Sequence, residues 1–390
     1  MTIRALVLSG GGGRGAFHAG VYKYLCEAQK SGVDAAHQSA WLPDIVVGTS
    51  IGAVNGAAIT QGMSAAALED FWLNTYEHHI QGLPPGMAAP TRAITTRIME
   101  RALGARLPQV RYSGQVPEDD WNPLPFRPDW LNRRTVGRFS SLLDTAPLRE
   151  TLANRLKIDA ARIAGSRTVL MICATNVETG RQTIFSNRFI PARETDQAHP
   201  DVIQGVTINR IVASCSIPMV YPWTRDEDTH GGEAYYWDGA VVANTPLSPV
   251  LKAARALQQA EGRAPDEELE AVVVMMTPWR ESGEDAKLHP RPQSFFEAVT
   301  VTLDWALLAS FRETLKLTET FNALARQQRE HPIPGMPQYR VVKVTVVAPS
   351  EFLPVTSILD YQPHAKGLIA QGYTAAAEAF AKQYPAEKEA

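Results

Sequence analysis

The sequence predicts an α/β fold built on a mainly parallel central sheet, and three observations carry that expectation. Short runs rich in β-branched residues recur at Ala5 to Leu8, Ile45 to Val47, Val169 to Ala174, Ala271 to Met276 and Arg340 to Val347, each the length of a buried strand. Helical patterns lie between them, and strands alternating with helices are what parallel crossovers require. The 390 residues, 45% hydrophobic and 20% charged, have a globular composition able to bury a sizeable core, not a disordered one.

Taken in order, the first strand runs into Gly10 to Gly15 and then a helix. Its Phe17, Gly20, Val21, Tyr24, Leu25 and Ala28 fall on one face at helical spacing. The second strand leads into Gly52 to Gly62, where Ala53, Ala57 and Ala58 would let a helix lie close to a sheet. From His78 to Ser140 prolines accumulate and disfavour both continuous helix and central strand. This stretch is expected to be a lid-like insertion within a single domain spanning 1–390. Beyond it, Pro222 to Asp238 predicts a hairpin with the polar tip Arg225 to Gly232. Ser294 to Arg329 predicts one or two long helices with Phe295, Val299, Leu303, Leu307 and Phe311 on a common face. Residues 292–390 are thus expected to form a C-terminal helical region with a strand.

Charge and cysteine usage narrow the function classes. Lys plus Arg is 38 against 41 for Asp plus Glu, a net charge of −3, so no global basic surface awaits a phosphate backbone and no nucleic-acid partner is expected. Cys26, Cys173 and Cys215 are odd in number and far apart, without the paired spacings of zinc or redox sites. Free thiols in a reducing compartment, with no metal and no cofactor, are the expectation. The apolar stretch near the N-terminus is too short for a secretory signal, and no run reaches the roughly 18 apolar residues of a membrane span. The chain is expected to be cytoplasmic, with peripheral membrane contact or an unconventional export route left open.

The strongest local motif is Gly48-Thr49-Ser50-Ile51-Gly52. It stands where a strand ends and a helix begins, the setting in which small residues two positions either side allow a strained turn that projects a serine oxygen. An N-cap serine in a tight turn is the bland alternative. The second motif is Gly10-Gly11-Gly12-Gly13-Arg14-Gly15. It contains the spacing of a dinucleotide fingerprint, but the second strand ends in Gly48-Thr49-Ser50 instead of the acidic residue a ribose needs. A phosphate loop lacks its lysine, because Ala16 follows Gly15. Beside Ser50, the same amides would form an oxyanion hole.

A serine nucleophile needs a base. None of the nine histidines stands in a convincing context; His18, beside the glycine loop, is the most defensible and is more simply a packed residue near a helix start. Trp237-Asp238-Gly239-Ala240 offers a carboxylate instead. An Asp-Gly pair at a strand end is ordinarily a turn former, and it becomes a base candidate only in company with a serine elbow that lacks a histidine. The ordinary carboxyl value of about 3.9 makes aspartate a poor base. The site must therefore disfavour its charge by partial desolvation, with Trp237 as a contributor, or depend on orientation and the oxyanion hole.

Together, Gly10 to Gly15 with Arg14 before the last glycine, Gly48 to Gly52, and Asp238-Gly239-Ala240 followed by Asn244 and Pro246 resemble the patatin-like phospholipase family. Ala213 to Pro218 and Gly367 to Ala375 add to the likeness, which spans about Arg4 to Val250 and weakens beyond. What the resemblance implies is a three-layer α/β/α sandwich and calcium-independent hydrolysis of lipid acyl esters. It implies Ser50 as nucleophile, Asp238 as base and the amides around Gly11, Gly12, Gly13 and Arg14 as the oxyanion hole. Gly13 in the variable loop position and Ala240 in place of a second glycine depart from the family pattern without removing a reacting group. A soluble-ester esterase, a thioesterase, an acyltransferase, a nucleotide-binding protein and an inactive binding module are the alternatives. From Thr91 to Leu107, Arg92, Arg97, Arg101 and Arg106 mingle with Ile94, Ile98, Met99 and Leu103. That segment would suit either an anionic membrane surface or an amphipathic helix docked on the core.

Overall fold

The computed structural model describes residues 2–28, 42–82, 141, 143–192, 197–262, 267–279, 291–293, 295–331, 339–353 and 355–383. The insertion beyond residue 82, including 91–107, lies outside them. Strands β1 (Ile3–Leu8) and β2 (Ile45–Thr49) are followed by helices α1 (Ala16–Ala28) and α2 (Ile51–Thr60), and α3 is Ala65–Leu73. Two short helices, α4 (Ala146–Glu150) and α5 (Ala160–Ala164), precede β3 (Val169–Asn176), β4 (Gln182–Ser186) and β5 (Val202–Gln204). Then come α6 (Ile208–Ser214), β6 (Thr224–Glu227), β7 (Glu233–Asp238), α7 (Ala240–Ala243) and α8 (Ser248–Glu261). The chain closes with β8 (Leu269–Val274), α9 (Phe295–Glu330), β9 (Val342–Val347) and α10 (Gln362–Gln383).

Among the described residues nine strands share one sheet, whose main path runs β5-β4-β3-β2-β1-β8-β9. The run from β3 through β2, β1 and β8 to β9 is parallel throughout, while β4 and β7 join β3 antiparallel. Because successive side chains in a strand face opposite ways, each strand feeds two cores. Leu6, Leu8, Val46, Leu170 and Val272 pack with α1, α2, α3, α6 and α10. Ala5, Val7, Ile45, Val47 and Val273 pack with α8 and α9 on the other side. The result is the mixed α/β sandwich expected, with helices on both faces of a mainly parallel sheet.

One local expectation changes. The hairpin tip begins later than the polar composition suggested, because Arg225, Asp226 and Glu227 pair with β7; Asp226 is held there by Arg210 Nε at 3.0 Å. The C-terminal helical pattern is one continuous helix of 36 residues. Among the described residues no helix is long and apolar enough to cross a membrane.

Candidate active site

Strand register brings the two candidate reacting groups together. β2 runs parallel to β3 and ends with Thr49 opposite Cys173. β7 runs antiparallel to β3 and ends with Asp238 opposite Ala174, on the edge that β2 has just vacated, since β4 occupies the other edge at the same residues. The C-terminal ends of β2 and β7 therefore meet head-on, and Ser50 and Asp238 sit at that junction. The Ser50 hydroxyl lies close enough to the Asp238 carboxyl to lower its affinity for protons.

Ser50 itself has φ 55° and ψ −127°, a left-handed, strained backbone for a residue with a side chain. The flanking glycines make room for the turn. A Cβ on Gly48 would lie 2.4 Å from the Gly52 carbonyl oxygen, and one on Gly52 would lie 2.1 Å from that of Leu8. The Ser50 amide donates to Ser214 Oγ at 2.9 Å, and that hydroxyl donates to the Cys173 carbonyl at 2.6 Å. Ser214 thus ties the elbow to β3.

Asp238 is 2% exposed. Burial pushes its carboxyl up to about 7, against the opposing pull of the Ser50 hydroxyl and the Ala240 amide, which donates at 2.8 Å. Its own amide donates to Ser216 O at 2.9 Å. Trp237, the neighbour expected to contribute to desolvation, is only partly buried and falls on the opposite side of β7 by strand alternation.

The glycine loop is pinned between both reacting elements. Gly10 N–H donates to Asn244 Oδ1 at 2.9 Å, six residues past Asp238. Gly12–Gly15 form a single tight turn in which the Arg14 amide donates to Gly11 O at 3.2 Å. That amide is committed inside the turn, which sets it apart from the amides of Gly12 and Gly13, the first two of the turn, which have no acceptor within it. The Arg14 side chain, 2% exposed, donates from Nε to Ser357 Oγ at 3.2 Å and from Nη2 to Leu353 O at 3.3 Å. Gly15 is tied to the elbow helix, since its carbonyl accepts from Asn55 Nδ2 at 2.9 Å.

His18 does not line the pocket at Ser50. It is fully buried, its Nδ1 lies 3.1 Å from Asn55 Nδ2, and burial lowers it to about 3, which keeps it neutral. Cys215 does line that pocket, yet burial holds its thiol well above the ordinary value; none of the three cysteines is in a disulfide. Gly12, Ser50, Leu148, Ile217, Tyr221 and Tyr361 are among the walls of the pocket, a narrow, mostly apolar cavity of about 20 Å³. Among the described residues no group of three or more His, Cys, Asp or Glu is arranged to hold a metal ion.

Sequence alone left Ser214 and Asn244 without roles, although both stood inside segments already singled out. A small hydroxyl or amide shows its purpose only when its distant partner is known.

No curated protein matches the chain. One similar solved structure is that of VipD from Legionella pneumophila, 11% identical, with 98% of this chain and 67% of that chain covered at a TM-score of 0.35. The family model described as patatin-like phospholipase matches residues 6–251, a stretch that takes in the glycine loop, the serine elbow and the Asp238 turn. On that match the chain belongs to the patatin-like phospholipase family.

Proposed function

We propose that this chain is a serine lipid acyl hydrolase that cleaves fatty acyl esters through a Ser50–Asp238 dyad. Family membership supports lipid acyl hydrolysis as the class of activity. The observation that supports the dyad is the head-on meeting of β2 and β7, which sets Ser50 beside a buried Asp238 carboxyl whose affinity for protons is raised to about 7. A base poised near neutral pH is what proton abstraction from a hydroxyl calls for.

The chemistry runs in two halves. Asp238 takes the hydroxyl proton as Ser50 Oγ attacks the ester carbonyl carbon, and the carbonyl oxygen becomes an anion facing the amides of Gly11, Gly12 and Gly13. Collapse breaks the ester bond, and the departing alkoxide takes the proton from Asp238. Water then attacks the acyl-enzyme, gives its proton to Asp238, and the second collapse releases the fatty acid as that proton returns to Ser50. Each oxyanion donor is worth about 10²–10³ in turnover. In this scheme Arg14 acts through its side chain, which anchors the loop that carries those amides. The whole chain works as one acyl hydrolase unit, with residues 78–140 as an insertion and residues 91–107 as the segment that meets an anionic lipid surface.

A fluorophosphonate should label Ser50 in the wild-type chain and leave Ser50→Ala unlabelled. Asp238→Asn should keep the fold and lose ester turnover by about 10³-fold or more. Near-normal turnover in Asp238→Asn alongside a dead His18→Ala would overturn the dyad. Phospholipids, triacylglycerols, acyl thioesters and soluble esters, each with and without a competing alcohol, separate the hydrolase from the thioesterase and acyltransferase alternatives. Cosedimentation with anionic vesicles tests the membrane segment.

A further inference from the structure

The pocket over Ser50 is finished by residues that lie well beyond the family-matched stretch. Ile358 and Tyr361 both line it, and they belong to the segment joining β9 to α10. That segment is fixed from several sides. Arg14 holds Leu353 O and Ser357 Oγ, Gln81 Nε2 donates to Leu359 O at 2.9 Å, and Tyr361 N–H donates to Glu77 Oε1 at 2.9 Å. The segment also sits against the glycine loop, where a Cβ on Gly12 would lie 2.1 Å from Ile358 O.

Tyr361 is held by its ring and by its backbone amide. Its ring stacks on Trp72, with centroids 6.3 Å apart and planes 7° from parallel, and Trp72 is fully buried core. Its hydroxyl lies near that of Tyr221, which donates to Gln81 Oε1 at 2.7 Å. A ring clamped in this way is a wall and not a swinging door. The other linings, Ile51, Ile80, Leu148 and Ile217, are apolar, so the part of a lipid ester that fits this space is its hydrocarbon chain and not its polar alcohol.

We propose that Tyr361 is a specificity-determining residue, the end wall that sets how long an acyl chain the Ser50 pocket accepts. The proposal rests on the hydrolase function above. A rigid wall in an apolar pocket rejects added methylenes by roughly 10–200-fold each, so wild-type kcat/KM should fall steeply somewhere along a series of p-nitrophenyl acetate, butyrate, octanoate and palmitate. Tyr361→Ala should move the fall to longer chains and raise the palmitate-to-butyrate ratio by about tenfold or more. Tyr361→Phe, which keeps the ring, should leave the fall where it is.

A flat wild-type profile, or a Tyr361→Ala ratio unchanged in a protein that melts cooperatively and takes the phosphonate, overturns the proposal. Should Tyr361→Ala not fold, Ile358→Ala widens the same space from the same segment and is read by the same ratio. If the wild-type chain neither labels at Ser50 nor turns over any ester, the hydrolase function itself fails and carries this inference with it.

Discussion

Burial raises the Asp238 carboxyl to about 7, and the Ser50 hydroxyl and Ala240 amide draw it back; the balance of those influences is visible as a pH profile. In the proposed dyad the base must be ionised to accept a proton, so activity belongs to the deprotonated form. Below about 7, kcat/KM should fall roughly tenfold for each further pH unit, and above it the profile should level. A profile flat through that region, measured on a soluble ester, would remove Asp238 as the base. Ser214 makes the second prediction at this scale. Ser214→Ala strips the Ser50 amide of its buried acceptor, at a cost of about 1–3 kcal/mol, and lets the elbow relax. Its kcat should drop by about 10-fold to 100-fold with KM little changed, whereas a residue that only fills space would lower the melting temperature and spare kcat. Ser50 and Asp238 were legible because a strained turn and an Asp-Gly strand end mark the sequence locally. Ser214, Asn244 and Asn55 were not, since each is explained by a partner at the far end of a hydrogen bond that joins separate elements.

Helix α1 was legible from the spacing of its apolar face, but the reason for Gly20 on that face was not. A Cβ at Gly20 would lie 1.9 Å from Ile369 O, and one at Gly372 would lie 2.1 Å from Phe17 O. The two glycines let α1 and α10 cross backbone to backbone, with Tyr24 and Tyr373 meeting edge to face beside the crossing at 5.4 Å. Gly20→Ala forces these helices apart and should cost about 1–3 kcal/mol or more, the range of an overpacked core, seen as a lower urea midpoint. An unchanged midpoint would mean the crossing is looser than the backbone distances require. Elsewhere the strands buried on both faces announced themselves as β-branched runs, whereas β5, three residues long, and the charged β6 gave no apolar pattern to find. Their strand conformation comes from the neighbours they pair with, a tertiary effect that a local window does not hold.

At the scale of the molecule, the sheet is assembled out of chain order, and this decides what the minimal folding unit is. The family-matched stretch ends at residue 251, before β8, yet β8 sits between β1 and β9 and pairs with β1 along Ile3 to Leu8. A chain stopped at Leu251 would leave β1 with a bare edge, and Leu6, Val7 and Leu8, buried in the full chain, would lose the layers that β8, β9, α9 and α10 provide. An unpaired apolar edge strand is an aggregation template. The truncated chain would also lose the Leu353 carbonyl and Ser357 hydroxyl that hold Arg14 and both pocket residues supplied by the segment before α10. It should therefore be insoluble or lack a cooperative melt, and its Ser50 should not react with a fluorophosphonate, although every reacting group is still present. Co-expression of residues 252–390 as a separate chain should restore labelling, because what is missing is a layer of the fold and not a catalytic atom. A stable, labelled fragment ending at Leu251 would show that the glycine loop and the elbow hold their geometry without the strands and helix that follow.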